Sequence, residues 1–427
     1  MSFFVVGYYA LLIALSCLAA FYQRRSAFIL LFSLTLVSFV LGIIGGVPAL
    51  RFVSMAAGAL ALAAGTSYAF REFLILMAPE GLAKELRTAP LTASFGMFVI
   101  FTYAIAAIFA PMIAPFGEAQ VVSSSFAPPD DTMLLGADQL GRDMFSRIIY
   151  GARNTVSLAL AGTVMAFVLG ALAGLFAATR GGFLDQALGR VVDVIMSIPS
   201  LIFALLMISI FSAIINNIDQ YAFLTQFGSW SENALSTVAI GTFGMLVGLI
   251  VVAAVSTSVV GLIVGLVIAV AASLAVGFAM SLLFNPSEVL LMLVVGVIYS
   301  PRVFRLARAV AGNVVVMDYI EAAKLRGEGT WYLIRKEILP NSTSPLIAEF
   351  GLEFCFVFLL IAGLSFLGLG IQPPTADWGS MVRENATLIS FGDMTPLIPA
   401  AAIALLTVAV NFVVDWMLFR SSGLKEQ

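Results

Sequence analysis

Lys84, Lys324, Lys336 and Lys425 are the only lysines in the chain, and they follow Ala, Ala, Arg and Leu. A Walker-type phosphate loop needs Gly immediately before its Lys, so this chain cannot form one. Histidine is absent, which removes His-based metal sites, His general bases and Ser-His-Asp triads together. Cys17 and Cys355 both lie in apolar runs and read as small buried hydrophobes rather than a disulfide or a metal pair. The acids that could move ions are Glu288 at a helix start, Glu349 and Glu353 at i and i+4, and Asp415 near the end of the last apolar run. All lie closer to an interface than to a bilayer centre, where pairing or snorkelling accounts for them. Asn411 and Asp415 share a helix face, which suits packing between helices. The chain therefore reads as no enzyme, with no cofactor and no metal. Any ATP that drives it is hydrolysed by another polypeptide.

One stretch concentrates charge. EAAKLRGEGTWYLIRKEILP, residues 321–340, holds Glu321, Lys324, Arg326, Glu328, Arg335, Lys336 and Glu337 in a chain that is 61% hydrophobic and 11% charged. Residues 314–326 read as one helix, on which Ala322 and Ala323 form a low-relief patch suited to close docking of a partner. Gly327, with Gly329, ends that helix, since Gly tolerates the left-handed conformation. Residues 330–338 read as a second, amphipathic helix along the membrane surface, with Trp331, Ile334 and Ile338 on one face. Leu339 and Pro340 close the segment, Pro340 stopping the helix before the next span. An ordinary charged loop explains the charge. It does not explain Glu-Ala-Ala, Gly and Leu-Pro at these offsets.

The elements that must carry this segment are membrane helices. Mean hydropathy is +1.07, far outside the range of a soluble domain. Apolar spans are expected near 3–22, 27–47, 52–73, 91–115, 155–179, 189–214, 234–256, 258–284, 287–310, 345–370 and 396–419, about eleven in all. Alternating barrel-type segments are absent, so the fold class is an all-α polytopic membrane protein. No positive charge precedes the first apolar run, which argues for a retained helix rather than a signal peptide. With the N-terminus outside, Arg51, Arg142, Arg147, Arg153 and Arg383 fall outside, and the rest of the 21 Lys and Arg fall inside or at the inner edge. Segments 116–154 and 371–395 are then external, and 74–90, 180–188 and 311–344 internal. No aqueous segment is large enough for a separate catalytic domain. Gly244 with Gly248, and Gly261 with Gly265, have spacing that lets helices approach closely.

The 321–340 stretch, continued to Asn341, resembles the EAA loop of permease subunits of bacterial ATP-binding-cassette importers. Four further blocks narrow the resemblance to the dipeptide/oligopeptide/nickel permeases. LLGADQLGRDMFSRIIYGARNTVSLALAG (134–162) is similar to that family's external segment, with Gly141, Arg142, Asp143, Arg147 and Arg153 among the matching positions. RGGFLDQALGRVVDVIMSIPSL (180–201), LSFLGLGIQPPTADWGSM (364–381) and NFVVDWMLFR (411–420) follow in the family's order.

The resemblance implies a type I importer (MetI-like) transmembrane domain. Its EAA loop, here Glu321, Ala322, Ala323, Gly327, Leu339 and Pro340, fits a groove on an ATPase subunit and transmits nucleotide-driven closure. The implied partners are a second, similar permease chain, two ATPase subunits, an extracytoplasmic solute-binding protein and the lipid bilayer; no nucleic acid is expected. The implied location is the bacterial cytoplasmic (inner) membrane. The substrate is a peptide, or the nickel, opine or sugar of related permeases. The chain departs from the family by an extra module of about three helices at 1–86 and an inserted helix pair at 217–285. The first family helix and external segment are expected at 87–153, the permease core at 154–420 and a cytoplasmic tail at 421–427. Where the family often carries an acid before LSFLGLG, this chain has Ile361, and Glu353 lies two turns earlier. A stand-alone secondary transporter is the alternative. It needs ionisable groups or broken helices near the midplane, which the sequence does not show.

Overall fold

A computed structural model of the chain describes residues 48–216 and 285–421, with a few isolated positions before 48. The expected pair 234–256 and 258–284, with its glycine spacing, lies outside the described residues, as does nearly all of 3–22 and 27–47. Among the described residues the regular structure is helical, with isolated bridges at Val121–Arg142 and Ala137–Asp143 and irregular segments near 114–143 and 367–377. Two compact units are present, 1–98 and 99–427.

In the first unit, α1 (Pro48–Met77) is followed by α2 (Glu80–Arg87). Arg71 of α1 donates to the Ala89 carbonyl at 3.3 Å and stacks over Tyr68 at 4.9 Å. Helix α3 (Leu91–Ile108) runs across the boundary between the units, and a single turn, α4 (Ala110–Ile113), follows it.

The second unit is built on α5 (Met144–Arg180), α6 (Gly182–Met196), α7 (Ser200–Asn216), α8 (Pro286–Val315), α9 (Asp318–Leu325), α10 (Thr330–Phe366), α11 (Trp378–Asn385) and α12 (Leu397–Ser421). Five described helices (α3, α5, α8, α10 and α12) are long and apolar enough to cross a membrane, and α6 with α7 makes a sixth if that bent pair is one span. At ~1.5 Å per residue, the 37 residues of α5 reach about 55 Å. That exceeds the ~30 Å hydrocarbon core, so several turns of α5 lie beyond it.

Helices α5 and α8 run side by side in the same direction, and small residues let them touch. Gly162, Ala166, Gly170 and Gly174 recur every fourth position on α5. A Cβ on Gly170 would meet the Ser300 carbonyl oxygen, Val303 Cβ at 2.7 Å and the Phe304 nitrogen at 2.9 Å. One on Gly174 would meet the Phe304 carbonyl oxygen at 2.5 Å and Ala307 Cβ at 2.9 Å. Neither position admits a side chain, and the reward is backbone-close packing along α8. Phe358, Val357 and Leu364 of α10, with Val410 and Val414 of α12, complete the apolar core around this pair.

Three expected elements differ. The span at 189–214 is broken: α6 and α7 meet at 89° across Ser197, Ile198 and Pro199. Pro199 has no N–H to continue the ladder and its ring obstructs the preceding turn. The helix expected over 314–326 ends at Val315 and restarts at Asp318, with Met317 extended between them. Pro340 does not stop a surface helix. Residues 330–338 run on into the membrane span through a π turn at Leu333–Ile338, with Pro340 in the first turn beyond it. The wider turn accommodates the missing donor and the ring.

Candidate functional site

The segment from Val316 to Gly329 is a short helix on a buried base. Ile320 and Ala323 of α9 are fully buried. They pack with Leu333, Ile334 and Ile338 of α10, Leu175 and Phe176 of α5, and Ala307 and Ala311 of α8. The end of α9 is fixed by Gly327 at φ +85°. Its N–H donates to the Lys324 carbonyl at 2.9 Å, and Glu328 N–H donates to the Ala323 carbonyl at 3.2 Å. This paired arrangement satisfies two orphan carbonyls and requires a residue that accepts the left-handed conformation.

The rest of the segment faces away from the bundle. Glu321, Ala322, Lys324, Arg326, Leu339 and Pro340 are exposed. So are Tyr319, Met317, Val316 at 79% and Leu325 at 83%. The two alanines expected to form one docking patch are thus divided. Ala322 lies outside, and Ala323 is small because Leu333 and Ile338 close over it. The exposed apolar residues are not evident in the sequence, whose pattern continues as helix across the α8–α9 break.

The opposite end of α5 carries a buried polar anchor. Arg142 Nε donates to Asp138 Oδ2 at 2.7 Å and Arg142 Nη2 to Glu384 Oε2 at 2.9 Å. Arg147 Nη2 donates to the same Glu384 oxygen at 3.3 Å, Nη1 donates to the Glu118 carbonyl at 3.2 Å, and Nε stands 3.3 Å from Asp138 Oδ2. No side chain of the four ion-paired residues is more than 5% exposed. Asp143 begins α5, accepting from Ser146 N–H at 2.8 Å and Ser146 hydroxyl at 2.6 Å. Gly141 has φ +78°, and a Cβ there would strike the Ser123 carbonyl. Arg153, grouped with these residues in the sequence motif, is exposed and takes no part in the anchor.

Residues 376–385 lock onto this anchor. Trp378 is fully buried, and its indole N–H donates to the Ile148 carbonyl at 3.0 Å. Asn154 donates to the Ala376 carbonyl at 2.8 Å and to Glu118 Oε2 at 3.0 Å. Asp377 accepts from the Thr155 hydroxyl at 2.9 Å and from Ser380 N–H at 2.8 Å. Burial holds its carboxyl above the usual carboxylate range, against these donors. Glu384, Glu118 and Asp377 were missed in the sequence. No local signal marked Glu384 or Asp377, which the fold brings to Arg147 and Thr155 from more than 200 residues away.

The acids of the apolar runs have separate roles. Glu288 closes a capping box with Asn285, accepting its backbone N–H at 3.0 Å. Asn411 donates to the Thr407 carbonyl of its own helix at 2.9 Å rather than across helices. Asp415 is exposed. Ile361 is fully buried in the apolar core. Glu353 is buried with neither carboxylate oxygen hydrogen-bonded, and Arg302, stacked on Phe356 at 4.6 Å, is the cation that acts on it. Cys355 is buried, with its sulfur 3.8 Å from the Thr407 carbonyl, as a small core residue would be. Among the described residues no group of three metal-ligating side chains occurs.

A bundle of long apolar helices with a charged loop on a buried base is the architecture of a polytopic membrane protein. Residues 166–421 match the model of the binding-protein-dependent transport system inner membrane components, and the chain belongs to that family. It has the MetI-like fold of these permeases and is a multi-pass protein of the cytoplasmic membrane. It is 26% identical over 327 residues to the di/tripeptide transport system permease protein DppC of Pseudomonas aeruginosa, covering 75% of this chain and 84% of the relative. It is 27% identical over 331 residues to the probable D,D-dipeptide transport system permease protein DdpC of Escherichia coli, covering 77% and 86%. It is 25% identical over 325 residues to the glutathione transport system permease protein GsiD of Pectobacterium atrosepticum, covering 75% and 82%. The chain is therefore a permease component of a multi-subunit ATP-binding-cassette transport system, not a stand-alone carrier.

Proposed function

We propose that the chain forms half of the translocation path of a peptide importer and receives the ATPase stroke through Asp318–Gly327. The observation that carries this reading is the division of that segment. Ile320 and Ala323 are packed in the helix core, while Glu321, Lys324, Arg326 and Leu325 project from it. A push on the exposed side chains is delivered to α8 and α10, and through the apolar cluster they share to α5. In a chain without a phosphate-binding loop, that push comes from another subunit. The peptide class is supported by the substrates for which the relatives are named. The partners are a second permease chain, two ATPase subunits on the side of the 311–344 loop, and a solute-binding protein on the side of the 116–154 and 371–395 segments. Glu321, Ala322, Gly327, Leu339 and Pro340 belong to the coupling loop, with Ala323 as its inward anchor. Gly141, Arg142, Asp143 and Arg147 brace the external side. Residues 87–153 and 154–420 make the family unit. The module at 1–86 and the insertion at 217–285 are additions to that unit, and 421–427 is a tail.

The test is co-purification of the full chain with two candidate ATPase subunits, followed by peptide uptake in proteoliposomes. Replacing Glu321 by Ala and Gly327 by Val is expected to abolish uptake or ATPase association while the chain still inserts. Gly327→Val forces a β-branched residue to φ +85°, a position such residues almost never occupy. Uptake by the chain without any ATPase sinks the reading.

A further inference from the structure

Helix α6 is held on α8 by two ion pairs that the coupling argument does not use. Asp185 accepts from Nε and Nη2 of Arg308, the latter at 2.5 Å. Asp193 accepts from Arg305 Nη2 at 2.5 Å. The acids stand two turns apart on α6, and the arginines one turn apart near the end of α8. Between the pairs, Leu188 and Val192 pack on Phe304 of α8 and on Ala173 and Ala177 of α5. Two ties with an apolar strip between them resist both sliding and pivoting, which a single tie does not. Arg308 is seven residues before Val315, where α8 gives way to the α9 loop.

The other end of α6 is built differently. Ser197 N–H reaches the Asp193 and Val194 carbonyls at 3.1 and 3.2 Å, and Pro199 has no N–H to give. The chain then turns 89° into the apolar helix α7. A helix tied at two points to a neighbour, and joined to the next by a break without a continuous ladder, moves with the neighbour and bends at the break. Both pairs are open to solvent, Arg305 and Asp193 at 53% and 52% and Arg308 and Asp185 at 44% and 20%. Exposed pairs are individually weak, so they set the register of α6 on α8 without locking it to the bundle.

We propose that α6 is a second output of the coupling loop. Asp185, Asp193, Arg305 and Arg308 are positioning residues that make α6 follow α8, so that displacement of α9 bends the chain at Ser197–Pro199 and moves α7. This rests on the reading of Asp318–Gly327 as the surface that receives the ATPase.

The experiment uses the full chain assembled with its ATPase subunits. Asp185→Arg and Arg308→Asp are each expected to lower peptide uptake about tenfold, within the usual range of coupling between sites, with ATPase co-purification unchanged. The double exchange is expected to restore uptake to within about threefold of the parent, by the same coupling scale. Spin labels at the exposed positions Gln186, Ile202 and Ala309 supply a second reading that does not need the reversed charges to fold. The 186–309 distance should stay constant between nucleotide-free and ATP-bound states, and the 186–202 distance should change. Single reversals that transport normally, a double variant no better than the singles, or a changing 186–309 distance each overturn the proposal. If Glu321→Ala leaves association and uptake intact, the coupling-loop reading fails instead, whatever the α6 variants do.

Discussion

At one end of the bundle, Arg142 and Arg147 are at most 3% exposed and share Asp138 and Glu384. At the other, Arg305 and Arg308 are about half exposed, at 53% and 44%, and each holds one acid on a neighbouring helix. Beyond them Glu321, Lys324 and Arg326 project from the loop. The chemistry is the same and the environment differs. A buried pair costs several kcal/mol of desolvation per ion and survives only with its partners complete, so that end is rigid and fails as a unit. An exposed pair contributes ~0.2–1 kcal/mol and can be removed without unfolding its end of the bundle. The rigid end ties α5 to the 376–385 segment, and the yielding end is where a moving partner would act.

The largest expected effect tests the rigid end directly. Arg147→Ala leaves Glu384 and Asp138 buried with one arginine between them. Breaking such a pair costs about 3–5 kcal/mol, read as a fall in the unfolding midpoint of the purified protein in detergent. A loss below ~1 kcal/mol would place this end in the exposed class and erase the contrast.

The sequence displayed these two ends unequally. The loop was legible because Glu-Ala-Ala, Gly327 and Leu-Pro are local signals within 20 residues of one another, and Gly327 adopts the left-handed turn that its position implied. The anchor was half legible. Asp143, Arg142 and Arg147 are contiguous, yet Glu384 lies 237 residues from Arg147, and only the fold brings it there. Apolar length foresaw the five described spans, but it did not foresee the break at Pro199, because hydropathy does not register a missing donor. The α5 stripe Gly162, Ala166, Gly170 and Gly174 is as regular in spacing as that at Gly244 and Gly261. Periodicity alone did not say which stripe a neighbour approaches.

That stripe supplies the second expected effect, because α5 runs from the anchor to the buried cluster beneath the 316–329 segment. Gly174→Leu should cost about 1–3 kcal/mol by overpacking, since the new Cβ alone would sit 2.9 Å from Ala307 Cβ. Gly312→Ala, on α8 with nothing within 4 Å, should be neutral or slightly stabilising through helix propensity, ~1 kcal/mol at most. Thermal unfolding of the two variants side by side separates close helix approach from a general intolerance of added bulk. Equal losses would mean that the glycine stripe does not govern the α5–α8 contact.

The smallest expected effect on stability belongs to the loop, and there smallness is the informative result. Leu325 is 83% exposed and Glu321 is exposed beside it, so their removal deletes almost no intramolecular contact. Glu321→Ala with Leu325→Ala should shift stability by less than ~0.5 kcal/mol, the range of surface substitutions. The same double variant should lose co-purification with the ATPase subunits, because truncating an apolar anchor and a charge at an interface removes hot-spot contacts worth about 2 kcal/mol or more. A residue whose loss leaves the chain folded and dissociates its partner has its contacts outside the chain. Arg147 is the opposite case, with its contacts all inside. If the loop variant unfolds like Arg147→Ala, then Glu321 and Leu325 serve the fold, and the two ends of the molecule do not differ in kind.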